Sequence, residues 1–324
     1  MPPVSFRERL RSGPPLVLDA ALGTELLRRG AKLPPPLWSA RALLDRPELV
    51  EEIHRENAEA GADVLTIASF RLHARNIRRS SCSLSQGELI ARAVTLARRA
   101  ASEFSSKVNG ANAPRTTPQQ VGREARSSPG PTHLSKQIFS AISIAGSLAP
   151  LEDCYQPALV PKQEDILFSE HAEMASALAR AGVDLILVET MNTVREALAA
   201  ARGAAATGLP FVVSCVTNGA GRLLSGEPIE DFARALLALP RPPDALGINC
   251  VAATALGADL ARLAAAASGA PLAAYGNTFS EAVPPQDYAA LAGGWTALGA
   301  RLVGGCCGTT ATHTRALSSL FHPS

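Results

Sequence analysis

Short apolar runs alternate along the chain with longer stretches in which apolar residues return at the three-to-four-residue spacing of a helix face. Eight runs stand out: LVLD from Leu16, ADVLTIAS from Ala62, AISIAGS from Ala141, VDLILVE from Val183, FVVSCVT from Phe211, DALGINC from Asp244, PLAAYGN from Pro271 and ARLVGGC from Ala300. None shows the strict apolar and polar alternation of a sheet with one wet face. Parallel strands buried on both faces under covering helices read this way. The second, fourth and eighth runs are entered through AGAD, AGVD and LGAR, a small internal repeat. Each reads as a helix stopped by glycine and followed at once by a buried strand.

Eight strand-and-helix units in 324 residues predict a single (β/α)8 TIM barrel spanning 1–324. An open doubly wound sheet is the competing α/β architecture, but it usually carries a glycine-rich phosphate loop after its first strand. Here that strand leads into AALGTELLRRG, where Gly23 does not make G-x-G-x-x-G. One segment breaks the rhythm. From about Ser102 to Lys136 the chain is rich in Ser, Pro, Gly, Asn and Gln, has no hydrophobic period, and reads as a flexible insertion between the second helix and the third strand.

Composition narrows the function classes. The formal net charge is +2 and aromatic residues make up 4% of the chain, so neither a basic field nor an aromatic platform for nucleic acid is expected. The N-terminus has no apolar run of signal-peptide length, and the most apolar window, ARLAAAASGAPLAAYG, is broken by Gly and Pro. A cytoplasmic protein without membrane contact is expected. In that compartment the six cysteines should remain thiols, and a patterned group of them points to metal binding or catalysis.

In a barrel of this kind the residues closing each strand face one cavity. Asp19 closes the first run, Glu189 the fourth, Cys250 the sixth, and Cys306 and Cys307 the eighth, with Asn277 following the seventh. Three thiols from two strand ends suit Zn²⁺ with one position left open. Adjacent residues on a regular strand point to opposite faces, so both sulfurs of Cys306 and Cys307 reach one ion only if the chain leaves the strand there. Gly304, Gly305 and Gly308 are read as permitting that departure, and Thr309 or Thr310 as capping the helix that follows. A zinc ion held by three thiolates is electron-rich and a poor source of hydroxide. It suits a substrate thiol, which would lose its proton there and remain nucleophilic, so thiol alkylation is the expected chemistry.

Blander readings apply to the remaining candidates. Cys82, Cys154 and Cys215 are expected to be structural. His54 and His171, within helical patterns, are expected at the surface, and His313 a turn into its helix rather than on the metal. Asp19 capping the next helix, Glu189 pairing with Arg195, and a redox-sensing Cys306–Cys307 disulfide in a non-catalytic barrel are the alternatives to the metal-site reading.

The stretches LVLDAALGTEL, LWSA, PELVEEIHRENAEAGADVLTIASF, AGSLAP, LILVET, LGINC, YGNT and GGCCGTT resemble the homocysteine S-methyltransferase family over nearly the whole chain outside 102–136. GGCCGTT about 55 residues after GINC is the most specific pair. The resemblance implies that Cys250, Cys306 and Cys307 are zinc thiolates and that Asn277 lies near or on the metal. It implies that Asp19 and Glu189 hold the homocysteine amino group, and that backbone amides around Ala21 and Leu22 hold its carboxylate. The implied donor is S-methylmethionine or S-adenosylmethionine, then betaine, with another thiol or selenol as the alternative acceptor. Few aromatic residues, Trp38, Trp295 and three tyrosines, are at hand to face a quaternary ammonium. Ala20 departs from the family's usual Gly, which would matter if that position needs positive φ. Oligomeric state is not legible.

Overall fold

Each of the eight apolar runs becomes a strand in the computed structural model, which describes residues 5–111, 141–279 and 281–323. The strands are β1 (Leu16–Val17), β2 (Val64–Thr66), β3 (Ser143–Leu148), β4 (Leu185–Met191), β5 (Phe211–Cys215), β6 (Ala245–Ala252), β7 (Leu272–Asn277) and β8 (Ala300–Gly305). All pair in parallel, in the order β1-β8-β7-β6-β5-β4-β3-β2. The ring closes where Leu18 bridges Val64 and where the Asp19 and Asp63 amides donate to Val64 and Val17 at 3.0 and 2.7 Å. The protein is a (β/α)8 barrel.

Twelve α-helices accompany the described strands: α1 (Phe6–Arg11), α2 (Leu22–Arg28), α3 (Ala42–Asp45), α4 (Pro47–Glu59), α5 (Ala74–Arg79), α6 (Gln86–Ala111), α7 (Glu164–Arg180), α8 (Val194–Ala206), α9 (Ile229–Leu237), α10 (Ala253–Ala266), α11 (Pro285–Ala297) and α12 (Ala311–Phe321). The helices line their inner faces with Ala and Leu, which carry high helix propensity and let helix and strand approach closely. Inside the ring a second cluster, including Leu18, Leu187, Val212 and Leu302, is plugged by Phe6 and Leu10 of α1. The three repeated lead-ins behave as expected: Gly61, Gly182 and Gly299 have φ of +94°, +84° and +103° and end their helices.

Two sequence expectations are corrected. Helix α6 runs on to Ala111, so the segment expected to be flexible from Ser102 is helical over its first ten residues. Phe104 packs on the core and Lys107 of α6 pairs with Glu59 of α4, contacts that the local sequence pattern did not reveal. Residues 112–140, including His133 and the rest of that segment, lie outside the described residues. His54 and His171 are not at the surface: they are 1% and 0% exposed. His54 continues the buried Leu49, Val50, Ile53 face of α4, and burial pushes its pKa down to about 4, leaving it neutral. No described helix is long and apolar enough to cross a membrane.

Candidate metal centre and substrate pocket

The C-terminal strand ends open into one cavity of about 540 Å³ whose lining includes Asp19, Glu189, Cys250, Cys306 and Cys307. The Sγ atoms of Cys250, Cys306 and Cys307 all lie within 4.8 Å of one another, the one such group of His, Cys, Asp and Glu ligand atoms among the described residues. Two sulfurs of a tetrahedral zinc site with bonds of about 2.3 Å stand about 3.8 Å apart. Cys250 and Cys307 are separated by 3.6 Å, a span that suits two thiolates on one zinc ion. All six cysteines are free thiols.

Local backbone explains how two neighbouring cysteines serve one point. β8 stops at Gly305, and the Cys306 amide donates to Gly276 O at 2.9 Å while Thr309 N and Oγ1 both donate to Cys306 O. Of the three glycines expected to bend the chain, only Gly308 has positive φ, +86°. Gly304 and Gly305 serve close approach instead, since a Cβ on Gly305 would overlap Thr309 Oγ1 and one on Gly304 would overlap Leu18. The left-handed residue on the thiol side is Cys250 itself, φ +56°, where β6 slips register against β7 between Asn249 and Ala252. Thr310 is the N-cap of α12, and His313 accepts its amide at Nδ1 and donates from Nε2 to Val283 O, so His313 is a cap and not a ligand.

Contact among the three thiols holds Cys250 well below the usual thiol range and pushes Cys306 and Cys307 up. Tyr155, on the loop after β3, brings its hydroxyl to 3.0 Å from Cys250 Sγ while its ring stays exposed. No motif marked Tyr155. Its place depends on side chains far away in sequence: Asn192 donates to Asp153 O and Cys154 O, Glu196 accepts the Leu151 amide, and His73 donates to Ala149 O.

Asp19 is 4% exposed, and both of its oxygens accept from Thr66, the backbone amide at 2.7 Å and the hydroxyl at 2.9 Å. Burial nevertheless raises its pKa to about 8. Glu189 accepts from the Ser147 hydroxyl, and burial raises its pKa to about 7. The simpler alternatives for these residues fail. Ala21, not Asp19, is the N-cap of α2, and Arg195 donates to Val160 O at 2.9 Å rather than to Glu189. Asp19, buried, and Glu189, half-buried, face the cavity with no Lys or Arg partner among the described residues, an arrangement suited to taking up a cation.

The loop after Asp19 holds Ala20 and Ala21 by their amides, to Asn57 Oδ1 at 3.0 Å and Thr309 Oγ1 at 3.3 Å, and Leu22 opens α2. Ala20 is not among the residues with positive φ, so this loop does not need glycine there. Asn277 turns its amide to Cys250 O at 2.8 Å. Trp38, Phe70, Tyr155 and Tyr275 supply aromatic surface to the cavity, and Trp295 is buried elsewhere.

The sequence profile described as homocysteine S-methyltransferase matches residues 16–321. The chain is 30% identical over 327 residues to a homocysteine S-methyltransferase of Escherichia coli (strain K12), covering 94% of each chain. It is 26% identical over 326 residues to a selenocysteine methyltransferase of Astragalus bisulcatus, covering 96% of this chain and 94% of that one. The metallated form of the homocysteine methyltransferase MmuM from Escherichia coli superposes with a TM-score of 0.76 at 28% identity, covering 96% of this chain and 97% of that one.

Proposed function

The chain belongs to the homocysteine S-methyltransferase family, and we propose that it is a zinc-dependent enzyme moving a methyl group from a small sulfonium donor to L-homocysteine, giving L-methionine. The observation that carries this reading is the group of three sulfurs within 4.8 Å of one another, in a cavity also lined by the carboxyls of Asp19 and Glu189.

Cys250, Cys306 and Cys307 would hold the metal. Bound there, zinc supplies an electron-rich site at which a substrate thiol is ionised at neutral pH yet remains nucleophilic. Asp19 and Glu189 take the substrate ammonium, whose charge offsets the burial that otherwise disfavours ionisation of both carboxyls. The amides of Ala21 and Leu22 take its carboxylate, with Ala21 exchanging its long bond to Thr309 for the ligand. Asn277 steadies the Cys250 carbonyl beside the acceptor. In the transfer, homocysteine sulfur attacks the methyl carbon in line, a new S–C bond forms as the donor's breaks, and the electron pair leaves on the donor sulfur as a neutral thioether. No protein nucleophile and no general base at the reacting atoms is required. Trp38, Phe70 and Tyr155 shield the cationic donor from water.

The test is methionine formation from homocysteine with S-methylmethionine, S-adenosylmethionine and betaine supplied separately. Turnover with a sulfonium donor and none with betaine is expected; turnover with betaine alone would overturn the donor assignment. Likeness to a selenocysteine methyltransferase favours a second acceptor, so selenocysteine belongs in the same assay. Turnover exclusive to selenocysteine would replace homocysteine as the acceptor.

A further inference from the structure

Besides Trp38 of the cavity wall, φ +46°, two strand residues without glycine's freedom stand in the left-handed region at the mouth of the barrel: Thr190, φ +61°, and Cys250, φ +56°. Thr190 follows Glu189, and Cys250 is the thiol on β6. For a β-branched residue such as Thr this backbone is a true outlier, held only where the surroundings over-determine it. Each lies in a register slip, in β4 between Val188 and Met191 and in β6 between Asn249 and Ala252.

One side chain joins the two slips. Asn249, fully buried, accepts the Thr190 amide at Oδ1 and donates from Nδ2 to Thr190 Oγ1, both at 2.8 Å. β4 and β6 are not neighbours, since β5 lies between them, so the carboxamide spans the end of β5. It satisfies a buried amide that the slip has removed from the β4–β5 ladder, and it uses both ends of its own carboxamide in doing so. Glu189 is one bond before the residue it holds, and Cys250 one bond after Asn249.

We infer that Asn249 is a positioning residue that sets Glu189 and Cys250 at a fixed separation, so that the ammonium-reading carboxylate and the metal-binding thiol address one substrate molecule. This rests on the roles proposed above for those two groups. Asn249 acts through backbone, because its carboxamide is engaged by Thr190 and it is not among the residues lining the cavity. A hydrophobic or shorter residue at 249 would fill space but would release Thr190 toward an ordinary extended conformation, turning Glu189 out of register with the thiols.

The test is a double-mutant cycle on the metal-loaded protein, reading homocysteine affinity by calorimetry, the thiolate-to-metal absorption of the Co²⁺-loaded protein, and melting temperature. Asn249→Ala is expected to weaken homocysteine binding by about tenfold or more and to shift the Co²⁺ absorption. In a Thr190→Gly background, where glycine takes positive φ unaided, the same substitution should cost clearly less. Should Asn249→Ala fail to fold, Thr190→Val keeps the shape but removes the acceptor of the Asn249 Nδ2 hydrogen bond, and homocysteine affinity should fall. Thr190→Ser should recover most of that loss. Additive effects in the cycle, or a lowered melting temperature with affinity and Co²⁺ absorption as in wild type, would overturn the inference and leave Asn249 structural. Wild-type protein that binds Co²⁺ but not homocysteine would remove the reading of Glu189 instead, and the inference with it.

Discussion

Asp19→Asn deletes a negative charge from the cavity while leaving a side chain of the same shape against the Thr66 amide and hydroxyl. The Asp19 pKa is raised to about 8 by burial, against about 3.9 for the group in an unfolded chain. At pH 7 the folded protein therefore holds this proton and the unfolded chain has released it. The difference, about 3 pH units at 1.36 kcal/mol each, makes Asp19 cost the substrate-free fold about 4 kcal/mol. With about 2.1 cal/mol/K of unfolding entropy per residue over 324 residues, Asp19→Asn should melt about 6 °C higher at pH 7. The sign follows from proton counting. Between about pH 4 and pH 8 the folded state binds the extra proton, so wild-type stability falls as pH rises, and the advantage of the variant vanishes below that window, grows through it and is constant above it. The same substitution removes one of two carboxylates from a buried ammonium, which costs about 3–5 kcal/mol and weakens homocysteine at least a hundredfold. Calorimetric melts from pH 5 to pH 9, with homocysteine titrations on the same samples, read both effects. A variant that melts lower than wild type at pH 8, a gap that does not change with pH, or unaltered homocysteine affinity would refute the reasoning.

Further outcomes follow from the same geometry. Because Asp19 and Glu189 are raised to about 8 and about 7, homocysteine affinity should fall as pH drops below 8, with proton release on binding at pH 7 visible as buffer-dependent calorimetric heats; heats independent of buffer would contradict this. Gly305→Ala places a Cβ against Thr309 Oγ1 and should displace Cys306, giving a protein with less than one bound zinc by elemental analysis. Ala20→Gly restores the family's usual residue at a position that does not need positive φ, so it should lower stability by about 0.5–1 kcal/mol and leave the homocysteine KM within about twofold, as thermal melts and initial rates would show.

The barrel was legible because its signals are local. Apolar runs without alternation, each closed by a chemically distinct residue, placed all eight strands, and three glycine lead-ins marked helix ends with φ near +90°. The same device at Gly208 and Gly269, φ +81° in both, went unread because TGLP and SGAP do not match the repeat. The thiols and carboxyls were legible as residues, but not the forces that aim them. Thr66 bracing Asp19, Tyr155 reaching Cys250 and Asn249 clamping Thr190 are contacts 47, 95 and 59 residues apart in sequence, and no periodicity reports such pairs. The burial of His171 is of the same kind, since it depends on His73 and Glu196 arriving from other helices and loops.

The measurement that bears most directly on the mechanism is zinc content by elemental analysis on reduced wild-type protein and Cys307→Ala, with methionine formation from homocysteine and S-methylmethionine assayed on the same samples. One zinc per chain in wild type, lost together with activity in the variant, is the predicted result. Reduced wild-type protein that turns over without zinc, or that holds a Cys306–Cys307 disulfide and no metal, would contradict the account.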